Sequence, residues 1–289
     1  MSTDRRPNLF ILGAMKSGTS SLHAYLGRHP QIYMSEEKEP GYFLDEFTWH
    51  KGEDWYLSLF DAAGDVLYRG ESSTHYTKLP RFGGASERLH EFAPEARLIY
   101  IMRDPVQRTI SHYWHMVMSH DESRDMLQAV QENAQYRNVS YYAMQLRPYL
   151  ERFPAEQIYT LTFEALIAAP EEELGKLFRW LGVDHGFSPD NTGAGYNVGA
   201  RQFVKPRHGG LLNRFRFSRT WDIASRFVPA PLRALGRRLA VREYDRSAQP
   251  LEPVIDYLRP IQREQTEELR QLLGRDFPEW TTLYGGGQS

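Results

Sequence analysis

The stretch that most limits what this chain can fold into is residues 8–30, NLFILGAMKSGTSSLHAYLGRHP. The apolar run from Leu9 to Gly13 reads as a buried strand, and Thr19 and Ser20, good N-cap residues, open a helix predicted over Thr19 to His29. A strand that ends in glycine and leads into a helix aims backbone N–H groups and the positive helix end at one point. Such a point suits a phosphate or a similar oxyanion. The common nucleoside-triphosphate loop reads G-x-x-x-x-G-K-[ST], with lysine directly after the second glycine. Here Thr19 follows Gly18, and the lysine is Lys16, inside the loop. Its ammonium can reach over a bound anion, with Ser17, Thr19 and Ser20 as hydroxyl donors beside Gly18. The pattern predicts anion binding and does not single out ATP.

Further strands are predicted at Val66 to Gly70, Arg97 to Met102 and Gln157 to Phe163. Between them, apolar residues recurring at three and four predict helices over Val106 to Met118, Tyr141 to Arg152 and Glu164 to Leu181. Near-continuously apolar strands separated by helices predict an α/β class, a P-loop-like three-layer fold with a central parallel sheet flanked by helices. The simplest partition is a single domain over 1–289. Residues 189–250 form a glycine-rich and basic loop or lid region, and 252–273 a C-terminal helix. PDNTGAGYNVGARQFVKPRHGG, from Pro189 to Gly210, reads as a long loop, and Leu211 to Leu239 as a basic amphipathic stretch.

The net charge of -2 hides an uneven distribution. From Tyr196 to Arg246 twelve Arg or Lys stand against three acids, which makes the segment either an anion-facing surface or a solvated face neutralised by the fold. The absence of cysteine excludes disulfides, thiolate metal sites and thiol nucleophiles. No window reaches the roughly 18 apolar residues of a spanning helix, and the start of the chain lacks a signal-peptide pattern, so a cytoplasmic location is expected.

A second constellation is RLIYIMRDPVQRTISHYWH. A strand ends in Arg103, the chain turns through Asp104 and Pro105, and the next helix carries Ser111. The carboxyl edge of a parallel sheet is where such folds bind ligands. Arg103 can hold a phosphate bidentately and Ser111 can donate to the same group, or Asp104 can serve as a magnesium partner in the triphosphate manner. The arginine immediately before Asp104 and the proline immediately after it make the phosphate clamp the preferred reading. A third constellation is SEEKEPGYF, in which Glu39 precedes a proline and is expected to be extended. It is either a general base returned to the loop mouth or a solvated surface acid. Tyr42 and Phe43 suit an acceptor pocket or an ordinary core. His112, His115 and His120 lack the spacing of a helical zinc site, and no metal is expected there.

Together GAMKSGTSSL, HP, KEPGYF and LIYIMRDPVQRTISHYWH resemble the sulfotransferases that use 3′-phosphoadenosine 5′-phosphosulfate (PAPS), most closely the bacterial and carbohydrate, heparan-sulfate-type branch. The resemblance runs over roughly Leu9 to Leu181. It implies that Lys16, Ser17, Gly18, Thr19 and Ser20 hold the 5′-phosphosulfate, and that Arg103 and Ser111 hold the 3′-phosphate. Glu39 falls on the catalytic-base position, with Lys16 the second catalytic residue. Arg201 and Lys205 are further nucleotide contacts implied by the likeness, and Tyr42, Phe43 and His75 lie on the acceptor side. A lysine common at the strand end is replaced by Ser72 or Ser73 in GESSTHYT, with His75 a candidate substitute. The implied reaction gives PAP and a sulfate ester, without a metal. The implied partner is a small-molecule or glycan hydroxyl, not a nucleic acid, with contact to an anionic or membrane-borne acceptor left open. A P-loop kinase or NTPase, or a non-catalytic nucleotide-binding protein, is the competing reading.

Overall fold

The structure is a computed structural model and describes residues 5–119, 122–188, 202–206, 241–246 and 249–285. The chain divides into two compact units, Met1–Asn197 with Glu252–Ser289, and Val198–Leu251.

The first unit is built on five parallel strands: β1 (Leu9–Gly13), β2 (Ile32–Met34), β3 (Tyr68–Ser72), β4 (Arg97–Met102) and β5 (Ile158–Thr162). Their order is β2-β3-β1-β4-β5. The chain steps to one side of β1 to build β2 and β3, then crosses to the other side for β4. The crevice beyond the carboxyl ends of β1 and β4 is therefore the switch point of the sheet. Helix α1 (Thr19–Leu26) follows β1, and α4 (Pro105–Ser119) follows β4. Two short helices, α2 (Gly52–Ser58) and α3 (Ala85–Phe92), flank β3 in sequence. The helical segments α5 (Met126–Glu132), α6 (Gln135–Asn138) and α7 (Tyr142–Leu150) precede β5. After β5 come α8 (Phe163–Ala168) and α9 (Pro170–Leu181), and the unit closes with α10 (Glu252–Leu273) and α11 (Thr281–Tyr284).

Alternation along the central strands divides the core between two faces. Leu9, Ile11, Ile99 and Ile101 pack with Leu22 and Leu26 of α1 and with Leu174, Leu177 and Phe178 of α9. On the opposite face Phe10 meets Phe43 with ring centroids 5.9 Å apart, and Tyr100 meets Tyr142 at 6.0 Å. Both faces are covered, which is why β1 reads as a continuous apolar run rather than an alternating one.

The segment predicted as one helix over Glu164 to Leu181 is two. Pro170 has no N–H to continue α8 and disfavours the helical region at Ala169, which adopts φ -143° and ψ 67°. The strand β2 has only three residues, too few to show a period. In the second unit, part of the predicted 189–210 loop is a strand: β6 (Gln202–Pro206) pairs antiparallel with β7 (Val241–Asp245). The basic stretch Leu211 to Leu239 lies outside the described residues, as does His120.

Candidate active site

The sequence-predicted residues of the first unit sit beyond the carboxyl ends of four strands. Gly18 caps the start of α1 with φ 93°, a value open to glycine, and a Cβ there would lie 2.6 Å from the Phe163 ring. Two reasons thus fix this glycine. Phe163 also carries the Arg103 guanidinium, 5.0 Å above its ring. Arg103 Nη1 reaches the Lys16 carbonyl at 3.5 Å. The backbone of Arg103 is clamped by Tyr142, whose hydroxyl donates to its carbonyl at 2.6 Å and accepts its N–H at 3.3 Å. The loop and the end of β4 are therefore one assembly. Ser17 is fully buried there, and its hydroxyl has no hydrogen bond among the described residues.

Arg103 forms no ion pair within 4 Å among the described residues, although burial lowers its pKa and Glu164 and Asp104 oppose that shift. Asp104 does not face the loop. Its Oδ1 accepts from the N–H groups of Val106 at 3.0 Å and Gln107 at 3.2 Å, capping α4, and its Oδ2 accepts from Leu283 N–H at 2.9 Å. These bonds oppose the magnesium-partner reading, since both oxygens are occupied by backbone donors in a residue 2 % exposed. Ser111 lies half-buried on α4, and no hydrogen bond ties it to Arg103 among the described residues.

Glu39 departs from the extended geometry expected before a proline: its φ is +59°. The reason is tertiary. Its N–H donates to the Ser72 carbonyl at 2.9 Å, and its Oε2 accepts from the Thr74 hydroxyl at 3.1 Å and lies 3.2 Å from His75 Nδ1. Lys38 stands on the other side. Its Nζ is 3.6 Å from Glu39 Oε1 and donates to the Ser20 hydroxyl of α1 at 2.6 Å. Lys38 therefore ties the carboxylate to the first turn of α1. Burial alone would raise the Glu39 pKa, but His75, Lys38 and Lys78 outweigh it and hold the carboxyl down at about 2.

Ser72 and Ser73 are structural in this arrangement. Ser72 Oγ is 2.8 Å from His23 Nδ1, and burial, then Lys38, pushes the His23 pKa down to about 4. Ser73 accepts from Gly41 N–H at 2.9 Å and donates to Glu71 Oε2 at 2.7 Å. Glu71 is fully buried and also accepts from Tyr76 at 2.6 Å and Tyr56 at 3.1 Å. This network holds the turn just after Glu39. Tyr42 and Phe43 lie in the neighbouring aromatic cluster, 3 % and 0 % exposed, with Tyr42 stacked 4.1 Å from Tyr56. The structure places both rings in the core.

Lys38, Thr74, Lys78, Glu71 and Phe163 were not singled out by motif. Lys38 lies inside the quoted SEEKEPGYF, and Glu71 and Thr74 inside GESSTHYT, which is the one signal that could have found them. Of the residues expected in the C-terminal part, Arg201 lies outside the described residues. Lys205 lies on β6, opposite Arg242 in register.

Residues 43–188 match the profile of a family described as the sulfotransferase family, and this match takes in half of the chain. The chain belongs to the sulfotransferase family. Among curated relatives, the bifunctional heparan sulfate N-deacetylase/N-sulfotransferase 1 of Mus musculus is 28% identical over 203 residues, which is 62% of this chain and 22% of the relative. The membrane-associated sulfotransferase kil1 of Dictyostelium discoideum is 36% identical over 110 residues, 37% of this chain and 22% of the relative. The chain thus matches about a fifth of the length of these relatives. A sulfotransferase crystal structure from Alicyclobacillus acidocaldarius superposes with TM-score 0.69 at 25% identity, covering 95% of this chain and 98% of that one. The parallel sheet flanked by helices is the fold this chain shares with it.

Proposed function

We propose that this protein moves a sulfuryl group from PAPS to a hydroxyl acceptor on a carbohydrate or small metabolite. The observation that carries the reading is the joint made by Lys38 between Ser20 and Glu39, which sets a half-buried carboxylate beside the start of α1 and the loop before it. The donor set suits the nucleotide. The N–H groups at the start of α1 suit an anionic group, Arg103 forms no ion pair within 4 Å among the described residues, and Ser17 offers a buried hydroxyl without a hydrogen bond there.

PAPS, when bound, supplies an activated sulfuryl group joined to its 5′-phosphate through a bridging oxygen. Backbone N–H groups at the start of α1, with Ser17, Gly18, Thr19 and Ser20, would hold the phosphosulfate. Lys16 would stabilise the charge that develops on the departing oxygen. Arg103 and Ser111 would hold the 3′-phosphate. Glu39, ionised in its cationic surroundings, would accept the proton of the attacking hydroxyl, with His75 beside it on the acceptor side. Arg201 and Lys205 are retained as proposed nucleotide contacts on sequence grounds. A divalent metal is not part of the proposal, because the transferred group carries a single charge and Asp104 is engaged as a helix cap.

Thermal-shift measurements with PAP, PAPS, ATP and AMP, each with and without magnesium, test the donor. PAP and PAPS should stabilise without metal. Magnesium-dependent stabilisation and turnover with ATP would replace this reading with a kinase or NTPase. Transfer of labelled sulfate to a panel of glycans and small alcohols then tests the acceptor class. PAP binding with no transfer after Glu39→Ala, when the parent transfers, supports catalysis; unchanged transfer would leave Glu39 as a surface residue.

A further inference from the structure

The segment that follows β3 carries a second lysine into the same site. Lys78 ends the 3-10 turn Thr74–Thr77 and is 7 % exposed. Its position is fixed on both sides. The Thr77 hydroxyl donates to the Leu12 carbonyl at 2.8 Å, directly below the anion loop. Leu79 exchanges hydrogen bonds with the buried Gln145 side chain at 2.8 and 3.0 Å. The lysine carbonyl accepts from the N–H groups of Arg81 at 2.9 Å and Phe82 at 3.3 Å.

The ammonium is not. Among the described residues it has neither a hydrogen bond nor an ion pair within 4 Å, in a protein where buried charges are ordinarily paired. The charged groups that act on it come from three segments: Glu39 favours its charge, whereas Arg81 and Arg108 oppose it. Arg108, fully buried on α4, gives its own donors to Ser140, Thr109 and the Tyr136 carbonyl. His112, one turn further along α4, feels Arg108, Lys78 and Lys16 together, and burial with these cations holds it neutral. Lys78 therefore stands in one positive field with Lys16 and within reach of Glu39's. An unpartnered ammonium held beside like charges becomes favourable when an anion enters between them.

Resting on the sulfuryl-transfer reading, we infer that Lys78 binds the transferred sulfonate, between the Lys16 loop and Glu39. It touches the oxygens that stay with sulfur, while Lys16 serves the oxygen that leaves. No bond to Lys78 forms or breaks. Its role is electrostatic, and it takes the place that Ser72 and Ser73, engaged with His23 and Glu71, do not fill.

Calorimetric titration with PAP and with PAPS tests this. The substitution Lys78→Met keeps the length of the stem and removes a buried charge that has no partner, so the variant should fold. PAPS affinity should fall roughly tenfold or more with PAP affinity unchanged, and Lys78→Arg should retain part of the difference. Burial lowers the Lys78 pKa to about 8, so the preference of the parent protein for PAPS over PAP should weaken as pH rises through that value. In Lys78→Met the preference should be flat with pH. An unchanged PAPS-to-PAP ratio in Lys78→Met, or equal loss of both ligands, overturns the assignment. Failure of the parent protein to bind either nucleotide would instead overturn the sulfuryl-transfer reading.

Discussion

Lys16 and Glu39 share a backbone state that no other described non-glycine residue adopts: their φ angles are +70° and +59°. The left-handed region is uncommon for side chains with a Cβ, and such residues concentrate where the surroundings over-determine them. Here the two residues proposed for the chemistry are the two held in it. Lys16 is shaped by the turn into α1, and Glu39 by its bond to the Ser72 carbonyl and the cations around its carboxylate.

The first prediction separates strain from chemistry at Lys16. Both Lys16→Ala and Lys16→Gly should lower the transfer rate by about 10²- to 10³-fold while changing PAP affinity far less. Of the two, the glycine variant should be the more stable by about 1 kcal/mol, since glycine adopts positive φ freely. Urea denaturation of the pair measures the difference. Equal stabilities would show that the turn carries no strain.

Glu39 sets a pH expectation. Its folded pKa, about 2, is below the ordinary carboxylate value of 4.5. Its ion contacts therefore stabilise the fold fully above pH 4.5, and that contribution is lost as pH falls from there through 2. Stability curves of the parent and Glu39→Gln should converge over that window and differ above it. A difference that instead disappears near neutral pH would mean that Glu39 is not held ionised.

Arg103 should decide between nucleotides. In the parent protein PAP at a hundredfold excess over Kd should stabilise by about 2.7 kcal/mol, with AMP contributing far less at the same concentration. Arg103→Ala should remove most of that discrimination. Equal shifts from PAP and AMP in the parent would remove Arg103 from the 3′-phosphate.

Glu71 anchors the turn that follows Glu39. Glu71→Ala leaves the hydroxyls of Tyr56, Tyr76 and Ser73 without their acceptor in a fully buried site, and should destabilise by about 3 kcal/mol. Burial raises the Glu71 carboxyl to about 7 against the pull of those three donors, so the folded state takes up a proton that the unfolded chain does not. Its contribution to stability therefore declines as pH rises from about 4.5 to 7. Chemical denaturation across that range, with and without the substitution, should show the decline in the parent alone.

Asp104→Ala should cost about 2 kcal/mol through loss of the α4 cap and of the Leu283 anchor. It should not create or abolish a magnesium requirement. A variant of unchanged stability that loses metal-dependent turnover would restore the metal-partner reading.

Much of the scaffold was legible locally. The strands β1 and β4 are buried on both faces, so their residues are apolar without interruption and their limits show in one dimension. The start of α1 was legible from Gly18, whose positive φ the turn requires, although Gly18 rather than Thr19 or Ser20 is the N-cap and no side chain caps the helix. Short or edge elements such as β2 were not, since three residues carry no period. The same holds for Ala169, where a proline overrode an otherwise continuous helical pattern.

Residues adjacent in the chain were enough to reveal a glycine turn with Lys16 inside it, a parallel sheet, and the arginine that ends β4. Only the tertiary structure decided how these combine. It turned Glu39 to a positive φ against the extended preference before Pro40, and it set Lys38 between that carboxylate and Ser20. It spent Asp104 on a helix cap, Ser72 and Ser73 on neighbouring side chains, and left Lys78 buried without a partner among the described residues. The physical reason is that hydrogen bonding and burial energies depend on distance in space. Strand ends far apart in sequence meet at one edge of the sheet, and there the partners of a charge are chosen.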